Sequence, residues 1–223
     1  MGTNNWNAVC LAGVTGTALA MIDSPQRRAF FVAAAEHYVQ NFLRGFTSDG
    51  YCSEGVLYWN YGFGRFVLMA ETILQATGGK IDLLAEPRVR TIALFGPRME
   101  IGHGLYPAFA DCTFGRRADD QVMAFLSRRF GLGMADAESQ GILLLGNKPT
   151  SFQFLFFLGI HGFDNSATAC LAAQAQWQAR PRDWFDKAGV LICRPSTAGG
   201  LGAATRVATT ANITTTTTWD RSW

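Results

Sequence analysis

Apolar residues recur at helical spacing through most of the chain, and helix-sized segments alternate with turn signals, which predicts helical hairpins over the first four fifths. Asn7 to Ile22 reads as a small-residue helix in which Gly13 and Gly16 are expected to allow close backbone packing. Ser24-Pro25 then supplies an N-cap followed by proline at the first helical position, and a helix should run to about Arg44. TSDGYCSEG, from Thr47 to Gly55, is a loop. A third helix is expected from near Tyr58 to the paired Gly78-Gly79, which can take the left-handed conformation that ends helices. Further helices are expected at Glu86 to Met99, Arg117 to Phe130, Ala135 to Leu145 and Ser166 to Ala179. Between the first two lies IGHGLYPAFADCTFG, and loops of that length in compact domains are often functional.

The period changes after Pro181. Ala188 to Arg194, AGVLICR, and Gly200 to Val207 are short apolar runs bounded by Gly and Pro, which fit β-strands. The chain is therefore expected to be mainly α, with helical hairpins over residues 1–180, the opening of a β domain over 181–208, and a Thr-rich tail over 209–223.

Composition narrows the class. The 223 residues are 48% hydrophobic and 16% charged with a formal net charge of +2, which describes a globular protein with enough chain to bury a core. The scattered basic residues exclude an electrostatically driven nucleic-acid binder, which needs a concentrated basic face. No membrane span is expected: Gly141 to Ile160 is broken by Asn147, Lys148 and Pro149, and Leu11 to Ile22 is too short. Met1 is followed by polar residues, so no signal peptide is read there. Cys10, Cys52, Cys112, Cys170 and Cys193 are odd in number and contain no CxxC pair, which fits small buried hydrophobes better than a disulfide scaffold or a zinc site. Arginine outnumbers lysine 16 to 3. Guanidinium pairs bidentately with carboxylates, so acidic ligands would explain the excess, and codon bias explains it equally well.

Two segments combine polar and aromatic residues at expected helix starts: NNWN, Asn4 to Asn7, and SEGVLYWNYG, Ser53 to Gly62. One helical hairpin separates them and returns the chain to the same end of a helical layer, so both can line one cleft. Amides, tyrosines and one carboxylate with little histidine suit proton abstraction beside a substrate carboxylate. An Asn amide donates to that carboxylate, while a Tyr phenolate takes the proton or a phenol gives one to the leaving group. Tyrosine is a poor base at its reference pKa of about 10, so the pocket has to favour the phenolate. The plainer account is packing: aromatic residues at helix starts are usually core, Asn is a common N-cap, and Glu54 can simply face a helix dipole.

NNWNAVCLAGVTGTALAM, SEGVLYWNYGFGRF, GLYPAFADCTFG and DWFDKAGVLICRP, in that order, resemble the heparinase II/III-like polysaccharide lyases over residues 3 to about 207. The resemblance implies an incomplete (α/α) toroid followed by an antiparallel β-sandwich. It also implies eliminative cleavage of uronate-containing acidic polysaccharides in a cleft between the two, and a periplasmic or secreted location. Carried over, Asn5 and Asn7, with Asn4 beside them, match the place of the carboxylate-neutralising Asn or His, and Tyr58 or Tyr61 matches the catalytic Tyr. Trp6, Glu54 and Trp59 are implied substrate-binding residues, and Asp111 either orients the long loop or is a turn or cap residue. A rival reading is a toroid glycoside hydrolase with Glu54 and Asp111 as acid and base. Another is a non-catalytic fragment that binds acidic glycans.

The resemblance breaks at both ends. Family members carry toroid helices before the Asn motif, whereas Asn4 stands almost at the start of this sequence. After the strand ending near Thr205 they continue with a His-Asn-His-Asn-Asp run that supplies a catalytic His and the ligands of a structural zinc; this chain reads RVATTANITTTTTWDRSW instead. Thr codons have the form A-C-any, so a shifted frame converts a Thr run into codons ending A-C, which encode only Asn, Asp, His or Tyr. The tail is therefore expected to be a frameshifted copy of the missing run, and sequencing the coding DNA decides between that and a genuine Thr-rich terminus. No cofactor is expected in this chain as it stands, its activity can differ from that of intact relatives, and the apolar surface left without a partner is expected to favour self-association.

Overall fold

The computed structural model describes residues 2–134, 176–197, 200–207 and 216–219, the last by backbone alone. They are mainly helical, with one small antiparallel sheet. The expected helices over 135–145 and most of 166–179 lie outside the described residues; 176–179 are irregular rather than helical.

α1 spans Asn5–Met21 and α2 spans Pro25–Arg44. Three residues join them, which forces antiparallel neighbours, and Asn7 near the start of α1 accordingly reaches Tyr38 late in α2. Ser24 caps α2 as its sequence dictates, its hydroxyl accepting from the Arg27 N–H at 3.4 Å. One expectation about α1 is corrected. Gly13 and Gly16 do not mediate close packing, since a Cβ at either would meet nothing within 4 Å. α1 packs through the face carrying Ala8, Leu11, Thr15 and Ala18, and the glycines lie off it. Its other face leaves Trp6, Val14 and Met21 exposed, as Phe30 is on α2.

A continuous helical run follows. α3, Gly55–Tyr58, passes into a π-helical turn, Trp59–Phe63, and then α4, Gly64–Ala76. The run starts three residues before Tyr58, where the Gly55 N–H closes a turn onto the Cys52 carbonyl. It ends as expected: the Gly78 N–H bonds to the Gln75 carbonyl and the Gly79 N–H to that of Leu74, with both glycines at positive φ. These bonds satisfy carbonyls that a helix end would otherwise leave bare. α1 and this run lie side by side, Asn5 against Gly62 at one end and Leu19 sharing a groove with Ala76 at the other.

The expected helix over Glu86 to Met99 is two helices, α5 (Pro87–Ala93) and α6 (Phe95–Met99). Pro97 has no N–H to give to the Ala93 carbonyl and its ring would crowd that carbonyl, so the helix breaks at Leu94. α7, Asp120–Phe130, starts three residues later than expected because Asp119 caps it, accepting from the N–H groups of Gln121 and Val122 at 3.0 and 3.2 Å. Between α6 and α7 the long loop forms no regular element beyond a bridge of Gly102 with Leu105.

The sheet is an antiparallel meander, β1 (Arg182–Phe185), β2 (Val190–Cys193), β3 (Gly202–Arg206) and β4 (Thr216–Trp219), in that order. β2 and β3 fall inside the expected strands. β1 was not anticipated, because four residues are too few to show a period. β4 belongs to the Thr-rich tail, where it adds to the edge of β3 with Gly202 opposite Trp219. Alternation along the first three strands buries Phe185, Val190, Ile192 and Ala204 against the helices. Phe185 meets Tyr51 and Phe95 edge-on or tilted, at 5.3 and 5.9 Å between ring centroids.

Polar contacts fix the sheet in place. Asp183, 4% exposed, accepts from Arg98 Nε at 2.9 Å on one oxygen and from Arg194 Nη1 at 2.7 Å on the other. Arg98 also donates to the carbonyls of Asp49 and Trp184 and lies 4.0 Å over the Phe185 ring, while Arg194 donates to the Arg98 carbonyl. Both cations have several partners, so the burial of Asp183 is compensated on all sides.

Candidate functional site

The expected polar segments meet at one end of the helical layer. Asn5 is 3% exposed and its Nδ2 lies 3.2 Å from both carboxylate oxygens of Glu54. Two local features make the contact. Gly62 allows α1 to approach, since a Cβ there would stand 2.8 Å from Asn5 Cβ, and Glu54 sits immediately before α3. Glu54 makes no side-chain cap bond to that helix, so it is not serving as a cap. Asn4 occupies the N-cap of α1 and likewise makes no side-chain cap bond.

Asn4, Glu54 and Tyr58 instead line one cavity of about 230 Å³, together with Thr3, Ser53, Cys52, Gly45, Phe42 and Phe46. Its rim is polar and its floor aromatic. Asn5 stands behind the wall, its Oδ1 buried with no hydrogen-bond partner among the described residues. Burial pushes the Cys52 thiol up to about 12, so it contributes a neutral S–H at ordinary pH.

The other expected residues lie elsewhere, and two expectations are corrected. Asn7 is 5% exposed and donates to the Tyr38 carbonyl at 3.2 Å, so it belongs to the seam between α1 and α2. Trp59 is fully buried, donates to the Ile92 carbonyl at 3.1 Å and stacks on Phe63, which makes it core and unable to touch a substrate. Asp111 is an exposed residue in a turn closed by the Cys112 N–H and the Phe109 carbonyl, which is its turn reading. Trp6, 62% exposed, and Tyr61, 37% exposed, reach solvent outside the cavity lining.

Sequence reasoning did not single out Thr3, Cys52, Ser53, Phe42 or Phe46 as lining residues. Cys52 and Ser53 sit in the TSDGYCSEG loop, which was the available signal; Phe42 and Phe46 follow helical spacing and are indistinguishable from core by pattern. Asn60 was also missed. Its Nδ2 donates to the Arg117 carbonyl at 2.7 Å and its Oδ1 accepts from the Asp119 N–H at 2.9 Å, which ties the end of the long loop to the π-helical turn. Burial raises the Asp120 carboxyl, against the lowering effect of Arg117, and burial also raises the Tyr106 phenol.

Among the described residues no group of three or more His, Cys, Asp and Glu side chains is placed to hold a metal ion. No described helix is long and apolar enough to cross a membrane. No family model matches the chain, and no curated protein matches it.

Proposed function

We propose that the chain is the helical portion of a polysaccharide lyase acting on uronate-containing acidic polysaccharide, a partial (α/α) toroid joined to the first strands of a β-sandwich. The observation that carries this reading is the shared cavity of Asn4, Glu54 and Tyr58, with Asn5 fastened to Glu54 behind it.

In the proposed reaction a uronate ring enters the cavity with its carboxylate towards Asn4, whose exposed amide is not spent on capping. Donation from that amide stabilises the negative charge that grows on the carboxylate as the neighbouring carbon loses its proton. Tyr58 takes that proton as a phenolate and, as the phenol so formed, passes it to the oxygen that leaves. A carbon–carbon double bond forms, the bond to the bridging oxygen breaks, and that oxygen leaves with a proton. Glu54 holds Asn5 in place, and its own charge keeps the substrate carboxylate at the Asn4 end of the cavity, because two carboxylates in contact repel.

Incubation of the purified chain with heparin, heparan sulfate and alginate tests the proposal. Ultraviolet absorbance of an unsaturated uronate supports it. Release of reducing ends without that absorbance identifies a hydrolase instead, and absence of both from all three polymers refutes the reading.

A further inference from the structure

The 17 residues of α1 include no Asp, Glu, Lys, Arg or His. A helix with no charged face is ordinarily buried on all sides, yet one side of α1 is open to solvent. At about 100° per residue, exposed Trp6, Cys10, Gly13, Val14, Thr17 and Met21 fall within an arc of about 100°. Trp6 is 62% exposed, Val14 52% and Met21 76%. The solvent side of α2 is the ordinary case, with exposed Arg27, Glu36, His37 and Arg44.

These six residues are spaced symmetrically about a point between Gly13 and Val14. A twofold axis there, relating two antiparallel α1 helices, sets Trp6 opposite the partner's Met21, Cys10 opposite the partner's Thr17 and Gly13 opposite the partner's Val14. Each pair then occurs twice, as an isologous interface requires. The pairs also match in shape and chemistry. A Cβ at Gly13 would meet nothing within 4 Å, so the glycine leaves a hole for the facing valine. The Met21 thioether suits contact with an indole ring. From Trp6 to Met21 the stripe is about 22 Å long. It presents roughly 500 Å² per chain, so a pair buries about 1,000 Å², the lower end for a specific interface. None of its residues lines the cavity.

We infer that this face of α1 is the contact of a symmetric antiparallel dimer of the chain, with Gly13 and Val14 at the twofold axis. A membrane surface fits less well, because interfacial helices carry Lys and Arg beside the apolar face and α1 has neither. Symmetric spacing is a requirement of self-pairing alone. An interface of this size associates weakly, with a Kd on the order of 10 µM, so the monomer dominates in dilute solution. The dimer is independent of the lyase reading and gives the self-association expected from the sequence a position in the fold.

Sedimentation velocity of the full chain from about 1 to 100 µM tests the dimer, which should form with rising concentration and go no further. G13L fills the hole at the axis while adding apolar surface, and V14E sets two like charges near the axis. Each is expected to weaken association at least about tenfold. L201E removes an apolar residue, 64% exposed, just before β3 and should leave association within about twofold. All three positions are exposed, and circular dichroism verifies that each variant is folded. A chain that stays monomeric throughout leaves the stripe to another partner and overturns the dimer. Association of G13L as tight as the wild type, or an equal loss in L201E, identifies unspecific apolar contact and overturns it as well. T17C tests the register: glutathione disulfide should join two chains between Cys10 and the introduced thiol, while the wild type and C10S/T17C stay unlinked. Linkage that persists in C10S/T17C would contradict the antiparallel pairing.

Discussion

Asn5 and Glu54 lie 49 residues apart in sequence, yet the amide nitrogen of one is 3.2 Å from both carboxylate oxygens of the other. This contact joins the first turn of α1 to the residue that precedes α3, and so fixes one wall of the cavity against the other. Removing the acceptor leaves a nearly buried amide without a partner, which costs about 1 kcal/mol. Glu54→Ala should therefore lower the unfolding free energy by about that amount in urea titrations, whereas Glu54→Gln keeps an acceptor and should stay within about 0.5 kcal/mol.

Glu54→Gln also separates charge from geometry. Repulsion between Glu54 and a bound uronate at about 6 Å is worth on the order of 1 kcal/mol in a solvated cavity. The Gln variant should bind uronate oligosaccharides severalfold more tightly at low salt, as read by calorimetric titration. Weaker binding would mean that Glu54 itself contacts the sugar.

Glycines in and beside the helices should respond in opposite directions. A Cβ at Gly62 meets Asn5 Cβ at 2.8 Å and a Phe42 ring carbon at 3.2 Å, so Gly62→Ala should destabilise by about 1–3 kcal/mol and push Asn5 away from Glu54. Gly13→Ala and Gly16→Ala meet nothing within 4 Å and should stabilise α1, by about 0.5–1 kcal/mol each, through the lower entropy of the unfolded chain. Thermal unfolding of the three variants gives the signs directly.

These contrasts explain what could be read from the chain beforehand. Ser24-Pro25 and Gly78-Gly79 act through their own backbone, so the ends they set were legible. The break at Leu94 follows from Pro97 four residues after Ala93 and is equally local. Trp59 was illegible because a buried and an exposed tryptophan at a helix start have the same sequence signature; burial came from Phe63 and Phe95 meeting it from two segments. Asn5 and Asn7 are both amides in one motif, and only the position of α2 decides that Asn7 faces the Tyr38 carbonyl. The Gly62 approach was invisible for the same reason: it depends on where α1 lies.

Asp183 provides a test of how the sheet is held. Asp183→Asn leaves Arg98 and Arg194 buried without their shared anion, which should cost about 3 kcal/mol or more in denaturant unfolding. A loss under about 1 kcal/mol would mean that the backbone contacts of the two arginines suffice.

Alkaline pH should loosen the core. Burial raises the Cys52 thiol from 9.0 to about 12 and the Tyr51 phenol from 10.0 to about 12. Both groups are held neutral in the folded state, so their contribution is complete below about pH 9 and is lost as pH rises towards 12. Unfolding midpoints measured across this range should fall steadily. Thiol labelling at pH 8 should modify exposed Cys10 well before Cys52, as peptide mapping would show.

The reading as a whole depends on an amide and a phenol acting on the same sugar. The initial rate of unsaturated uronate formation from heparin, heparan sulfate or alginate, compared between the wild-type chain, Tyr58→Phe and Tyr61→Phe, tests this most directly. Product formation by the wild type that falls at least about a hundredfold in Tyr58→Phe, with a smaller change in Tyr61→Phe, is the result predicted for a proton-transferring group in the cavity. Product formation that is unaffected by Tyr58→Phe, or no unsaturated product from any of the three polymers, would contradict it.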